Sequence, residues 1–232
     1  MKQAIAKLID AKTNAQKSGS LTDQAYRELE ERIVTLRLQP GEVLSETALS
    51  AQLEIGRTPI REALQRLARE GLIVILPRKG ILVSEINPGK QLLVLEVRRE
   101  LERLMARIGA VRRTEAERDG FLEIAAGMER AARDNDDIEF MRYDNAFNNL
   151  MATAGHNEYA VRAIGLMNGL SRRFWFVHYK ETADMPHCAH LHAAVARSIA
   201  EGNPDAAAEA AGLLVDYVET FTRATVGAGT AY

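Results

Sequence analysis

Two arginines, Arg57 and Arg61, stand four residues apart at the start of the run GRTPIREALQRLAREGL, Gly56 to Leu72. Four residues is about one helical turn, so both guanidiniums lie on one face at the N-terminal end of a helix. Cations there oppose the helix dipole. The placement makes sense if an anion docks at that end, where unbonded N–H groups also point outward. A DNA backbone is the obvious anion, and paired guanidinium donors also match O6 and N7 of guanine. A second chemically capable stretch holds His187, Cys188, His190 and His192. His187 and His190 could meet at i, i+3 spacing, but His192 falls two positions from His190, on a different face. That stretch reads as a helix start with surface histidines rather than a metal cage.

Positioning the two arginines takes a small folded unit. Within their own helix, Ile60, Ala63, Leu64, Leu67 and Ala68 repeat at helical spacing and supply the packed side. Thr58-Pro59 is read as the opening of the helix and Gly71 as its close. Upstream, Leu21 to Leu36 reads as a helix with Ala25, Leu29, Ile33 and Leu36 on one face, stopped by Pro40-Gly41. Ser45 caps a second helix whose Ala48, Leu49 and Leu53 turn inward. Downstream, Ile73-Val74-Ile75-Leu76 and Ile81-Leu82-Val83 flank a Pro77-Arg78-Lys79-Gly80 turn, which reads as a hairpin. Three helices and a hairpin make a winged helix-turn-helix. Asn87-Pro88-Gly89 reads as a linker. Beyond it, helical patterns run near 88–111, 114–133, 136–154, 157–180, 187–201 and 204–226. The expected fold is mainly α: a winged helix-turn-helix over 20–85, a linker at 86–89 and an all-α bundle over 90–226. Residues 1–19 are expected to be an N-terminal arm and 227–232 a disordered tail.

Bulk composition agrees with a soluble globular chain. The sequence has 232 residues, 47% hydrophobic and 27% charged, with a formal net charge of -2. The molecule is therefore no basic nucleic-acid coat, and DNA binding would rest on local charge. Across residues 57–79 the bases Arg57, Arg61, Arg66, Arg69, Arg78 and Lys79 face only Glu62 and Glu70. Arg66 and Arg69 read as solvent-exposed or paired with those glutamates at helical spacing. A single cysteine suits a reducing compartment. There is no membrane-length apolar run and no secretory core in the first residues, so a cytoplasmic protein is expected.

The N-terminal half resembles the GntR family of transcriptional regulators. The resemblance rests on Leu38-Gln39-Pro40-Gly41-Glu42-Val43-Leu44, Arg57-Thr58-Pro59-Ile60-Arg61-Glu62-Ala63-Leu64, Gly71-Leu72 and the Arg78-Lys79-Gly80 wing. Further along, Arg98, Leu101, Glu102, Asp144 to Phe147, Gly155, Asn157, His192, Ile199 and Gly202 resemble the FadR-like branch with its FCD ligand-binding domain. One departure is Gly56, where the family has a serine before Arg-Thr-Pro. Glycine still caps a helix but offers no side-chain acceptor.

The resemblance implies base contacts by Arg57 and Arg61, and a minor-groove approach at the wing through Gly80 with Arg78 and Lys79. Thr47, Thr58 and Lys79 are assigned to phosphate or sugar, contacts that position without specifying. One recognition helix reads only a half-site, so a homodimer on a short pseudo-palindrome of double-stranded operator DNA is implied. Many members also hold a divalent metal in the helical domain. Here Asp144 and His192 match two of the ligands, but Asn148 and Leu214 stand where histidines are expected. Two good donors make a poor zinc or nickel cage, so no tight metal and no required cofactor are expected. What remains is a polar set of Arg98, Asp144, Asn148 and His192. A buried arginine needs an anionic partner, which Asp144 or a small carboxylate effector would supply. The expected function is a non-enzymatic, effector-controlled DNA-binding regulator, a repressor. The competing classes are a metal-dependent hydrolase around Asp144 and His192, a ligand-independent architectural DNA-binder and, with least support, an RNA-binding winged helix.

Overall fold

The computed structural model describes residues 20–76, 80–182 and 184–229. The expected arm at 1–19, the wing residues Arg78 and Lys79, and residues 230–232 of the expected tail lie outside the described residues. The chain divides into two compact units, Met1–Ile86 and Asn87–Tyr232.

In the first unit, Ser20 starts helix α1 (Leu21–Val34) by accepting a hydrogen bond from the Asp23 N–H. Ala25, Leu29 and Ile33 are fully buried on its inner face. Leu36 falls outside the helix, because the chain turns through the left-handed region there at φ 58°. Strand β1 (Val43–Leu44) follows, a third strand that two residues are too few to announce in sequence. Ser45 caps α2 (Glu46–Leu53) as expected. Leu49 of α2 is buried, but Ala48 is exposed, which corrects its inward assignment. An eight-residue helix buries only a narrow stripe, and Leu49 fills it.

Helix α3 (Arg57–Arg69) packs against α1 through Ile60, Ala63, Leu64 and Leu67, each at most 1% exposed. Burying each of the larger side chains contributes about 1.5–3 kcal/mol. Gly56, not Thr58, is the N-cap, and it makes no side-chain cap bond. Pro59 therefore sits third in the helix, where its missing N–H still costs no intrahelical bond. The C-terminus closes as expected at Gly71, φ 74°, with the Gly71 N–H bonded to Ala68 O and the Leu72 N–H to Leu67 O. Strands β2 (Ile73–Leu76) and β3 (Gly80–Val83) pair antiparallel with Ile75 opposite Ile81, and β1 pairs with the other side of β3. The sheet order is β1-β3-β2. Gly80 takes φ 106°, a conformation a side chain would strain.

The second unit is helical throughout its described residues: α4 (Pro88–Arg112), α5 (Glu115–Arg133), α6 (Asp137–Ala154), α7 (Glu158–Thr182), α8 (Met185–Glu201) and α9 (Pro204–Gly229). Of the residues read as a linker, Pro88 and Gly89 are helical. Asn87 caps α4 by accepting from the Lys90 N–H, and Pro88 and Gly89 belong to its first turn. Helix α9 reaches Gly229, so the first three residues of the expected tail are helical. The main packed pairs are α4 with α9 and α5 with α8. Small residues permit this closeness: Ala189, Ala193, Ala196 and Ala200 line α8, and Ala207, Ala208 and Ala211 line α9, all at most 2% exposed. Gly127 on α5 is open to the ring of Tyr143 from α6, which a Cβ would overlap. Phe121, Met128, Phe147, Met105 and Met151 fill the core. No helix among the described residues is long and apolar enough to cross a membrane.

Candidate functional site

The N-terminal turn of α3, the first turn of α2 and the sheet border one groove of about 610 Å³, lined in part by Thr47, Arg57, Arg61, Gln65 and Gly80. The side chains of Arg57 and Arg61 are 61% and 55% exposed there. Gly56 brings no side chain to the helix start, which leaves that end open to an incoming acceptor. Thr47 and Thr58 are exposed beside it. Of the described residues expected to meet DNA, Thr47, Arg57, Arg61 and Gly80 share one concave face, and Thr58 lies outside its lining. Glu46 was missed. Its carboxylate accepts from Arg61 Nε at 3.1 Å and Arg61 Nη2 at 2.9 Å, and lies 3.8 Å from Arg57 Nη2. The Arg61 hydrogen bond, working against partial burial, holds the Glu46 carboxyl below its usual value, helped by the charges of Arg61 and Arg57. Fifteen residues separate Glu46 from Arg61, and only the angle between α2 and α3 joins them.

Arg66 behaves as expected for a side chain outside the reading face. Its Nε donates to Glu70 Oε1 at 3.1 Å and its guanidinium lies 3.5 Å above the Tyr26 ring. Tyr26 donates to Glu70 Oε2 at 2.8 Å, and burial together with that carboxylate pushes its phenol up. This trio ties α1 to α3. Glu62 accepts from Thr22 at 2.6 Å instead of pairing with an arginine, and Arg69 is exposed.

In the helical unit, α6 and α8 bring Asp144, Asn148 and His192 together. His192 Nε2 lies 3.1 Å from Asp144 Oδ1. Its Nδ1 lies 2.8 Å from the Cys188 carbonyl oxygen, one turn earlier on α8. A carbonyl and a carboxylate only accept, so both ring nitrogens donate and the ring is an imidazolium. The edge contacts of Phe140 and Phe147 close round it, with ring centroids at 6.1 and 5.2 Å. Burial alone would discharge the ring. Its contacts with Cys188 and the hydrogen bond and charge of Asp144 more than reverse this and hold it well above the usual histidine value. Burial likewise opposes the Asp144 charge, but His192, then Arg172 and Arg98, bring that carboxyl below its usual value. Asn148 Nδ2 completes the group with bonds to Asp144 O at 3.0 Å and Oδ1 at 3.1 Å.

Arg98 is close enough to act on Asp144, but its direct partner is Glu102, which accepts from Nε at 2.7 Å and Nη2 at 2.6 Å. The expectation that Asp144 or a ligand must neutralise Arg98 is thus corrected. Glu102 lies one turn on along α4 and is itself 4% exposed, so the pair is satisfied locally. The Arg-x-x-x-Glu spacing was the available signal. His187 and His190 are exposed, and His187 packs edge-on to Tyr217 at 5.2 Å, but His192 and Cys188 are buried, so the surface reading of that stretch holds for two of its three histidines.

These residues do not fit the divalent metal of the family. Asp144 and His192 are two of the four donors such a cage needs, and Asn148, at the third position, offers only an amide oxygen while its Nδ2 bonds to Asp144. Leu214, 4% exposed in the core cluster, supplies no donor. Among the described residues no three His, Cys, Asp or Glu side chains converge as a metal site.

Comparison with known proteins agrees with both halves. The family described as bacterial regulatory proteins, gntR family, matches residues 21–83, and the FCD domain matches residues 93–216. A transcriptional regulator in an unstable DNA locus of Streptomyces ambofaciens is 35% identical over 135 residues, 56% of this chain and 55% of that protein. The chain thus spans about half the length of that relative. The Nta operon transcriptional regulator of Aminobacter aminovorans is 29% identical over 68% of this chain and 75% of its own. The transcriptional repressor RspR of Escherichia coli is 35% identical over 42% of each. Among solved structures, E. coli McbR/YncC shares the fold with a TM-score of 0.75 at 17% identity, covering 90% of this chain and 99% of that one. With the FCD domain matching over half its length behind a gntR-type winged helix, the chain belongs to the GntR family of bacterial regulatory proteins, in the group that carries an FCD domain.

Proposed function

We propose that this DNA-binding regulator is a homodimeric repressor in which the first turn of α3 reads each half of a short pseudo-palindromic operator. The observation that carries the reading is the exposure of Arg57 and Arg61 at an uncapped helix N-terminus beside Thr47 and Gly80. An α-helix fits the major groove, and an arginine fork fits guanine O6 and N7 there. Arg78 and Lys79 of the wing and the exposed Thr47 and Thr58 take backbone contacts. The repressor sense is supported by the resemblance to RspR, which is named a repressor. The test is a mobility-shift titration with a duplex enriched by the protein from a random library. Arg61→Ala weakens that binding about tenfold, and unchanged affinity sinks the assignment.

The effector half of the proposal is a small organic anion bound in the helical domain near Arg98, Asp144, Asn148 and His192. Its support is the gathering of cationic groups near Asp144, namely His192, Arg172 and the Glu102-paired Arg98, all of which act on that carboxylate. A carboxylate that bonds there favours one arrangement of the dimer and shifts operator affinity by its differential binding to the two arrangements. No divalent metal and no catalysis enter this reading. Thermal-shift screening against small carboxylic acids tests it. A stabilising acid that also changes DNA affinity supports it; stabilisers drawn only from cations or neutral molecules overturn it.

A further inference from the structure

We propose that Glu46 is a specificity-determining positioning residue: it grips Arg61 by one edge of the guanidinium so that the opposite edge is aimed at a guanine. The proposal rests on the reading that Arg61 meets bases. A guanidinium carries five N–H donors in a rigid planar fork. Here Nε donates to Oε1 at 3.1 Å and to Oε2 at 3.3 Å, and Nη2 donates to Oε2 at 2.9 Å. That uses the Nε–Nη2 edge. The edge formed by Nη1 and the second Nη2 hydrogen is left in the geometry that matches guanine O6 and N7.

Glu46 is itself well held. It is the first residue of α2, directly after the Ser45 cap, where a carboxylate favours the helix dipole, and its side chain is only 23% exposed. Arg57 lies farther away, at 3.8 Å through a single nitrogen, so only Arg61 is gripped along an edge. An arginine whose rotamers are already restricted loses less entropy on docking. The same carboxylate stands in a groove built for an anion, where it repels phosphate. Glu46 thus trades general DNA affinity for base discrimination. A helix-stabilising residue would affect both alike, and so would a simple repulsive charge.

The test uses the full chain and fluorescence anisotropy on three duplexes. One is enriched by the wild type from a random library, the second has the guanine assigned to Arg61 replaced, and the third is scrambled. In Glu46→Gln, which keeps the shape and loses the charge, discrimination at that guanine falls about tenfold. Binding to the scrambled duplex stays equal or tightens. Glu46→Asp keeps the charge and helix start but cannot span to Arg61, so it loses the discrimination without tightening on the scrambled duplex. Equal weakening of Glu46→Gln on all duplexes assigns a structural role and overturns the proposal. Equal tightening on all of them makes Glu46 a repulsive charge alone and also overturns it. Arg61→Ala separates the two levels. If it loses discrimination while both Glu46 variants keep it, the positioning role fails and the Arg61 reading stands; if it keeps discrimination, the Arg61 reading itself fails.

Discussion

Replacing Asp144 tests the charged group at the heart of the helical domain. In Asp144→Ala, the acceptor of both His192 Nε2 and Asn148 Nδ2 is deleted at a site buried between α6 and α8. The imidazolium then loses its proton, because burial without a carboxylate disfavours the charge. A charge-assisted bond is lost, one donor on Asn148 loses a partner and a small void opens. The sum is about 3–5 kcal/mol, the usual cost of breaking a buried pair from one side. Asp144→Asn behaves differently. Its amide has the same shape and its nitrogen can donate to a neutral Nε2, Nδ1 keeps its bond to Cys188 O, and Asn148 Nδ2 keeps only its bond to the backbone carbonyl of residue 144, so the cost is about 1–2 kcal/mol. The pH dependence follows from the two shifts. The folded pKa of His192 is raised, so its contribution is complete below the unfolded value of 6.5 and is lost as pH rises through the folded value. The folded pKa of Asp144 is lowered, so its contribution is complete above 3.8 and is lost as pH falls through the folded value. The pair therefore stabilises fully between pH 3.8 and 6.5, and wild-type stability declines on the alkaline side. Asp144→Asn lacks that decline. Urea unfolding at fixed protein concentration, followed by the single tryptophan, Trp175 on α7, reads both quantities. The reasoning is refuted if Asp144→Asn keeps the wild-type alkaline slope, or if Asp144→Ala costs no more than Asp144→Asn.

Two further outcomes are expected. Tyr26→Phe keeps the ring under Arg66 but deletes the bond to Glu70, costing about 1 kcal/mol in thermal unfolding of the winged unit; Arg66→Ala, which strips a buried carboxylate of its cation as well, costs more, and the reverse order contradicts the clamp. Purified protein incubated with zinc or nickel and then desalted retains far less than one ion per chain by elemental analysis; about one tightly held ion per chain overturns the reading of Asn148 and Leu214 as lost ligands.

The helices were legible wherever periodicity and punctuation agreed. The spacing of Ala25, Leu29 and Ile33, the Ser45 cap and the Gly71 stop all describe contacts within a turn or two, which short-range physics decides. The helix start at Asn87-Pro88-Gly89 was not legible because the same residues suit a linker, and it takes the bond that Asn87 Oδ1 accepts from the Lys90 N–H to mark the cap. Strand β1 escaped because two residues, Val43 and Leu44, carry no period. At the sites, sequence named Arg57, Arg61, Asp144 and His192 but not their partners. Glu102 was readable from its spacing to Arg98. Glu46 was not, because its bond to Arg61 exists only once α2 and α3 cross. The Cys188 carbonyl that fixes the state of His192 is backbone, which no residue type announces.

Selecting duplexes from a random library with wild-type protein, Arg57→Ala and Arg61→Ala tests the central claim most directly. The account predicts that the wild type enriches a short palindrome with a guanine in each half. Each variant then loses preference at its own position while retaining salt-dependent binding to DNA in general. Enrichment of the same palindrome, undiminished, by all three proteins would contradict the claim that the first turn of α3 reads the operator.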